Sequence, residues 1–268
     1  MTVPPTIKDA KPKRPAWVDS APVLAPEGVN ICLYGPAGTG KSSAAATIAP
    51  EGGRIVWVNM DGPNSLFFAR KLAAERNVEI LEARIGHDED PRPRLREALD
   101  FCLVGNVDAL VIDGVGKLRE SLATAIGGPN PQVADWGQVA RYLKDLFREG
   151  RDLRCSTVWV CHEQITEDDG KLVVRPEIDA KGKAAELLLG EVDVCAYTAV
   201  HDDDGNQRFV GQIVPDKGRR AKDRSGALGA WRDLVPMAEW VQVFRSALAP
   251  DLSDVPFINQ ESEGDNED

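Results

Sequence analysis

Two glycines five residues apart, Gly35 and Gly40, stand directly before Lys41 and Ser42 in "GPAGTGKSS". The spacing is that of a phosphate-binding loop. Gly35, Gly38 and Gly40 free the backbone to turn successive N–H groups into one concavity, Lys41 brings a cation to β- and γ-phosphates, and Ser42 brings a hydroxyl to Mg²⁺. Pro36, Ala37, Thr39 and Ser43 complete the expected cradle. Such a loop needs a strand before it and a helix after it, and "VNICLY" and "SSAAATIA" read as those two elements. The implied ligand is a nucleoside triphosphate, expected as ATP with Mg²⁺. No N-K-x-D guanine-reading motif occurs.

Other polar groups stand where apolar strands end. Asp113 closes "DALVI" and is expected to emerge beside the loop as the acid that holds the Mg²⁺ water shell. Asp61, in "VWVNMDG", has two readings. It orients or deprotonates an attacking water, or it is a solvated turn residue, since D-G followed by P-N is strong turn chemistry. Asn59 is at most its helper. His162 and Glu163, followed by Gln164, end the run "STVWVC" and read either as a sensor of the γ-phosphate or as structural polar groups. Lys222 and Arg224 lie two residues apart in "RRAKDRSG", so in an extended segment both reach the same anion. That anion is DNA phosphate or a nucleotide on a neighbouring subunit; a solvated basic loop is the alternative.

These groups must be carried by alternating strands and helices. Apolar runs at 29–34, 54–60, 107–112 and 156–161 read as strands, and 64–77, 91–104 and 135–150 have helical spacing. Continuous apolar strands between amphipathic helices predict a mostly parallel sheet covered on both faces, a three-layer α/β/α sandwich. The runs 191–200 and 208–214 predict a β-hairpin added at the sheet edge, and 236–248 a last helix. Residues 1–26, with five of the 18 prolines before position 23, read as an extended arm. Residues 27–250 read as the nucleotide-binding domain and 251–268, with seven acids and no Lys or Arg, as a disordered tail.

With 268 residues and 43% apolar content the chain can bury one sizeable core. The net charge of -11 argues against a surface coated in positive potential, so nucleic-acid contact is expected to be local. Five cysteines in apolar runs, with no C-x-x-C pair, are expected as buried thiols. There is no run of about 18 apolar residues, so no membrane is expected and the predicted address is cytoplasmic.

The order "GPAGTGKSS", "NMD", "ALVID", "VWVCHEQ", a hairpin and "AKDRSG" resembles the RecA-like P-loop ATPase core over roughly residues 27–245, nearest to phage-encoded RecA-like single-strand annealing ATPases. The resemblance implies ATP bound between subunits of a homo-oligomeric ring or filament, with single-stranded DNA held by loops along the axis and a single-strand-binding protein as a reasonable partner. The address would then be the host cytoplasm. Lys41 and Ser42 match the P-loop pair, Asp113 the Walker B acid, and Lys222 and Arg224 the residues that reach across the interface. Asp61 falls where this group has its catalytic Glu; one methylene shorter, it implies slow hydrolysis. Residues 164–183 take the place of a DNA-binding loop, but carry many acids and no aromatic. An ATP-gated binding module with negligible turnover, or another P-loop enzyme such as a kinase, is the competing reading.

Overall fold

A computed structural model describes residues 27–249 except 63, 169, 179–182, 204 and 217. The expected arm and acidic tail lie outside the described residues. The elements run in order β1 (Asn30–Gly35), α1 (Lys41–Ala45), β2 (Arg54–Asn59), α2 (Phe67–Glu75), β3 (Glu79–Arg84), α3 (Pro91–Val104), β4 (Ala109–Asp113), α4 (Val115–Gly127), α5 (Val133–Asp152) and β5 (Ser156–Asp168). They continue with β6 (Lys171–Pro176), α6 (Lys183–Glu191), β7 (Val194–Asp203), β8 (Asn206–Gln212), β9 (Lys222–Asp223), β10 (Trp231–Asp233) and α7 (Ala238–Leu248).

The sheet order is β10-β8-β7-β1-β5-β4-β2-β3. From β7 to β3 every neighbouring pair is parallel, whereas β8, β9 and β10 join antiparallel. This is the expected three-layer α/β/α core with a mostly parallel sheet and an added C-terminal hairpin. The central strands are apolar throughout because both faces are covered. On one face Cys32, Tyr34, Val58, Ile112 and Trp159 pack with Leu118, Leu143, Phe147 and Leu188 of α4, α5 and α6. On the other Ile31, Leu33, Trp57, Val111 and Val160 pack with Ala45, Ala69, Trp240 and Phe244 of α1, α2 and α7. Burying an aliphatic or aromatic side chain stabilises by roughly 1.5–3 kcal/mol, so alternation between two cores holds the sheet in one register.

The helices begin where local chemistry starts them. Asp90 Oδ1 accepts from Arg92 N at 3.0 Å ahead of α3, and Asp135 Oδ2 accepts from Gln132 N at 2.8 Å ahead of α5. Helix α2 starts at Phe67 rather than 64, because the "DGPN" turn chemistry extends to Ser65, whose Oγ donates to Gly62 O at 2.8 Å. All five cysteines are free and buried.

The segment expected as a loop, 164–183, is largely a hairpin. β5 runs on past the sheet and pairs antiparallel with β6, Glu163 opposite Pro176 through Asp168 opposite Lys171. Thr166, Val173 and Val174 favour strand, and Gly170 supplies the left-handed turn residue at φ 75°. Of its four cations, Lys181 lies outside the described residues and Arg175 is buried, with Nε donating to Thr166 Oγ1 at 2.7 Å. The β7–β8 hairpin forms as expected but does not end the sheet, since β10 pairs outside β8.

Candidate functional site

The glycine loop joins the end of β1 to α1, with Gly38 and Gly40 at φ 78° and 80°. Lys41 is buried and its Nζ donates to Gly35 O at 2.9 Å and to Pro36 O at 2.6 Å. Burial lowers its pKa, while Asp113, Glu163 and Asp61 act in the opposite direction. The loop is also held from β7. Thr198 Oγ1 lies 2.6 Å from Thr39 Oγ1 and 3.2 Å from Tyr34 O, and Thr39 Oγ1 lies 2.9 Å from Pro36 O, so two hydroxyl protons serve three hydrogen-bonding contacts. Gly35 is required at this crossing: a Cβ there would come 2.5 Å from Thr198 Oγ1.

Asp113 ends β4, whose neighbour β5 separates it from β1. The carboxylate is 1% exposed, and its Oδ2 is buried without a hydrogen-bond partner among the described residues. Burial and then the Asp61 charge push its pKa up to about 6, against the pull of Ser42 and Lys41. Asp61 follows β2 in a turn organised by Asn59, whose Oδ1 accepts from Asp61 N at 2.9 Å and from Ser65 Oγ at 3.1 Å. Asn59 Nδ2 donates to Gly62 O and Glu82 Oε1, each at 2.8 Å. Asp61 Oδ1 lies 2.7 Å from Lys117 Nζ on α4. Turn residue and site residue are therefore compatible descriptions of Asp61.

These groups meet in one cavity of about 750 Å³, lined by the loop, Lys41, Ser42, Ser43, Asp61, Asp113 and His162 among others. The P-loop spacing on a strand-to-helix turn, with a buried strand-end acid two strands away, is the arrangement of a P-loop ATPase. A family model described as an AAA domain matches residues 27–225. The chain belongs to the AAA-domain family. A solved structure of a KaiC-like protein from the hyperthermophilic archaeon Pyrococcus horikoshii OT3 is similar at 15% identity, with a TM-score of 0.43, over 73% of this chain and 82% of that one. No curated protein matches.

In this AAA domain the described residues fit a Mg²⁺-bound triphosphate. Asp113 Oδ2 has no hydrogen-bond partner among the described residues, with Ser42 and the Lys41 charge acting on the same carboxylate, and a hypothetical Cβ on Gly38 meets nothing within 4 Å, so that side of the loop is open. His162 pairs in register with Gly35 and lines the cavity. Glu163, one residue on, is not among its lining residues; alternation along β5 turns it to the face of Tyr197, whose pKa burial raises first and Glu163 raises further.

Lys222 and Arg224 do converge on one negative pole, but it belongs to the same AAA domain. Lys222 Nζ donates to Leu189 O at 2.8 Å and Val192 O at 2.7 Å, and Arg224 donates to Gly190 O at 2.9 Å and Asp193 Oδ1 at 3.0 Å. They close the C-terminal end of α6, where the helix dipole favours cations. Both lie away from the cavity lined by their own chain's P-loop.

Sequence reasoning did not single out Lys117, Thr198, Phe68, Phe209 or Val235, which flank or line the site. Lys117 stands four residues after Asp113, one helical turn into α4, a spacing that a reading of strand-end acids could have included. Nothing local marks the others, which reach the site through sheet pairing.

Proposed function

We propose that the chain is a Mg²⁺-dependent, ATP-binding and ATP-hydrolysing RecA-like protein that forms a ring or filament and acts on single-stranded DNA in phage recombination or annealing. The observation that carries the nucleotide part is the convergence of the P-loop, Ser42 and a buried Asp113 carboxylate, whose Oδ2 has no hydrogen-bond partner among the described residues, on one cavity. Ser42 and Asp113 would hold Mg²⁺, and the amides of residues 36–40 with Lys41 would hold the phosphates. Mg²⁺, when bound, neutralises phosphate charge and sets the triphosphate's orientation.

Lys41 exchanges two carbonyl partners for phosphate oxygens, a stronger charge-assisted pairing. Asp61 orients the attacking water and accepts its proton once its carboxylate leaves Lys117. His162 stands beside the loop at the point where β5 leaves the sheet and enters the β5–β6 hairpin. Nucleotide state is thereby passed to a projecting element that takes the place of a DNA-binding loop in the family the sequence resembles.

A second reading, ATP as an assembly ligand with negligible turnover, is favoured by the Asp61–Lys117 ion pair, which occupies the carboxylate given the role of base above, Glu163 being the other candidate. Asp61→Asn separates the two. On the enzyme reading it abolishes phosphate release and DNA pairing together. On the second reading nucleotide-dependent DNA binding survives it unchanged. Light scattering with a non-hydrolysable ATP analogue, with and without single-stranded DNA, tests assembly directly: a protein that stays monomeric throughout removes the oligomer from the proposal.

A further inference from the structure

The cavity has its two acids on one side of the P-loop, together with Phe68 and Leu72 of α2, and Phe209 with Val235 on the other. β4, carrying Asp113, lies two strands from β1 on one side; β8, carrying Phe209, lies two strands from β1 on the other. At the usual strand spacing each is displaced by roughly 10 Å. Asp61 and Ser65 cluster at the acid side. Phe209 stands alone with Val235 at the other, both lining the cavity and about two-fifths exposed.

Phe209 is held against the loop itself. It pairs in register with Val200, on the face of β7 that also presents Thr198 to Thr39. A Cβ on Gly40 would come 3.0 Å from Phe209 Cδ1, so the ring rests on the last loop residue before Lys41. The ring is about two-fifths exposed toward the cavity and has no aromatic partner among the described residues, so one face is open to a flat ligand. The other aromatic at the cavity, Phe68, lies on α2 on the acid side and is already engaged edge-on by Phe67 at 5.5 Å.

A nucleoside triphosphate carries phosphates and metal at one end and a flat heteroaromatic base at the other, and the acids of the cavity lie on one side only. With Ser42 and Asp113 fixing the metal end, the base is directed away from the acids. We propose that Phe209, with Val235 beside it, is the platform on which the nucleobase of the bound nucleotide stacks. This assignment rests on the Mg²⁺-nucleotide reading above and adds the subsite that distinguishes a nucleotide from a bare triphosphate.

Calorimetric titration of Mg·ATP and of Mg·tripolyphosphate into the full chain tests it. The wild type is expected to bind ATP more tightly than tripolyphosphate. Phe209→Ala is expected to lose about tenfold or more in ATP affinity, the scale of base–aromatic stacking, and to leave tripolyphosphate affinity unchanged. Phe209→Leu, which keeps a bulky apolar contact on Gly40, is expected to lose ATP affinity severalfold, and Phe209→Trp to retain it. Equal losses for both ligands would assign Phe209 to loop packing and overturn the proposal, as would an unchanged ATP affinity in Phe209→Ala. A wild type that binds neither ligand would overturn the nucleotide reading itself.

Discussion

Lys117 Nζ lies 2.7 Å from Asp61 Oδ1, tying the first turn of α4 to the turn after β2 at the edge of the nucleotide cavity. Both residues flank Gly114, where a Cβ would come 3.1 Å from the same Asp61 oxygen. Lys117 is about half exposed, so the pair contributes only about 0–1 kcal/mol. Its position matters more than its strength, because this cation offsets the Asp61 charge that acts on Asp113, the carboxylate proposed to hold Mg²⁺.

Lys117→Met should therefore lower the Mg²⁺ concentration for half-saturation, by up to about fivefold, in titrations with a non-hydrolysable ATP analogue. An unchanged or raised midpoint would show that Lys117 does not offset this charge at the metal site.

Asp113 supplies a pH dependence whose sign is fixed by its raised pKa. The carboxylate titrates near 6 in the folded chain against an ordinary value of 3.8, so the folded state binds more protons between those values. Stability of the nucleotide-free protein should fall as pH rises from about 4 to about 6 through this group, by on the order of 2 kcal/mol. Asp113→Asn should remove that component and be the more stable protein at pH 7, while losing Mg²⁺-dependent nucleotide binding. Chemical denaturation at pH 4.5 and pH 7 checks this; equal pH slopes for the two proteins would contradict it.

Thr198 holds the P-loop through Thr39 and Tyr34, so Thr198→Val deletes both contacts at nearly constant volume. The expected cost is about 1–3 kcal/mol of stability, because Thr39 loses one of its two hydrogen-bond partners. Nucleotide affinity should fall as well, since the loop then has to be ordered by its ligand. Thermal denaturation with and without Mg·nucleotide reads both effects, and a variant that matches the wild type in each would remove β7 from the site.

Lys222→Met should cost about 1 kcal/mol, as expected for a cation at a helix C-terminus with two carbonyl partners. Mg·nucleotide affinity should be unchanged, because Lys222 caps α6 away from the P-loop. Turnover that collapses while stability stays at the wild-type value would instead establish a role across a subunit interface.

The parts of this molecule that local physics determines were readable from the chain. β1, β2, β4 and the start of β5 are near-continuous apolar runs because helices cover both faces, and the glycine loop needs no tertiary partner to be recognised. β3 was not readable. As an edge strand its residues are mixed and half exposed, and "EILEAR" has no clean period. Helix α4 follows Gly114 without a side-chain cap, which removes the usual start signal. At the site, the P-loop residues and Asp113 reach the cavity from short-range pattern, whereas Lys117, Thr198 and Phe209 arrive by packing and strand pairing. Lys222 and Arg224 show the same limit in reverse: their shared direction follows from extended spacing, but the pole they face is set by α6, more than thirty residues earlier.

The most direct test of the central claim is calorimetry of Mg²⁺ with a non-hydrolysable ATP analogue, added to wild type, Lys41→Ala and Asp113→Asn at pH 7.5. Saturable binding to the wild type that is lost in Lys41→Ala and no longer strengthened by Mg²⁺ in Asp113→Asn is the expected result. Equal binding by all three proteins, or no heat with the wild type, would contradict a shared metal-bound triphosphate between the loop and Asp113.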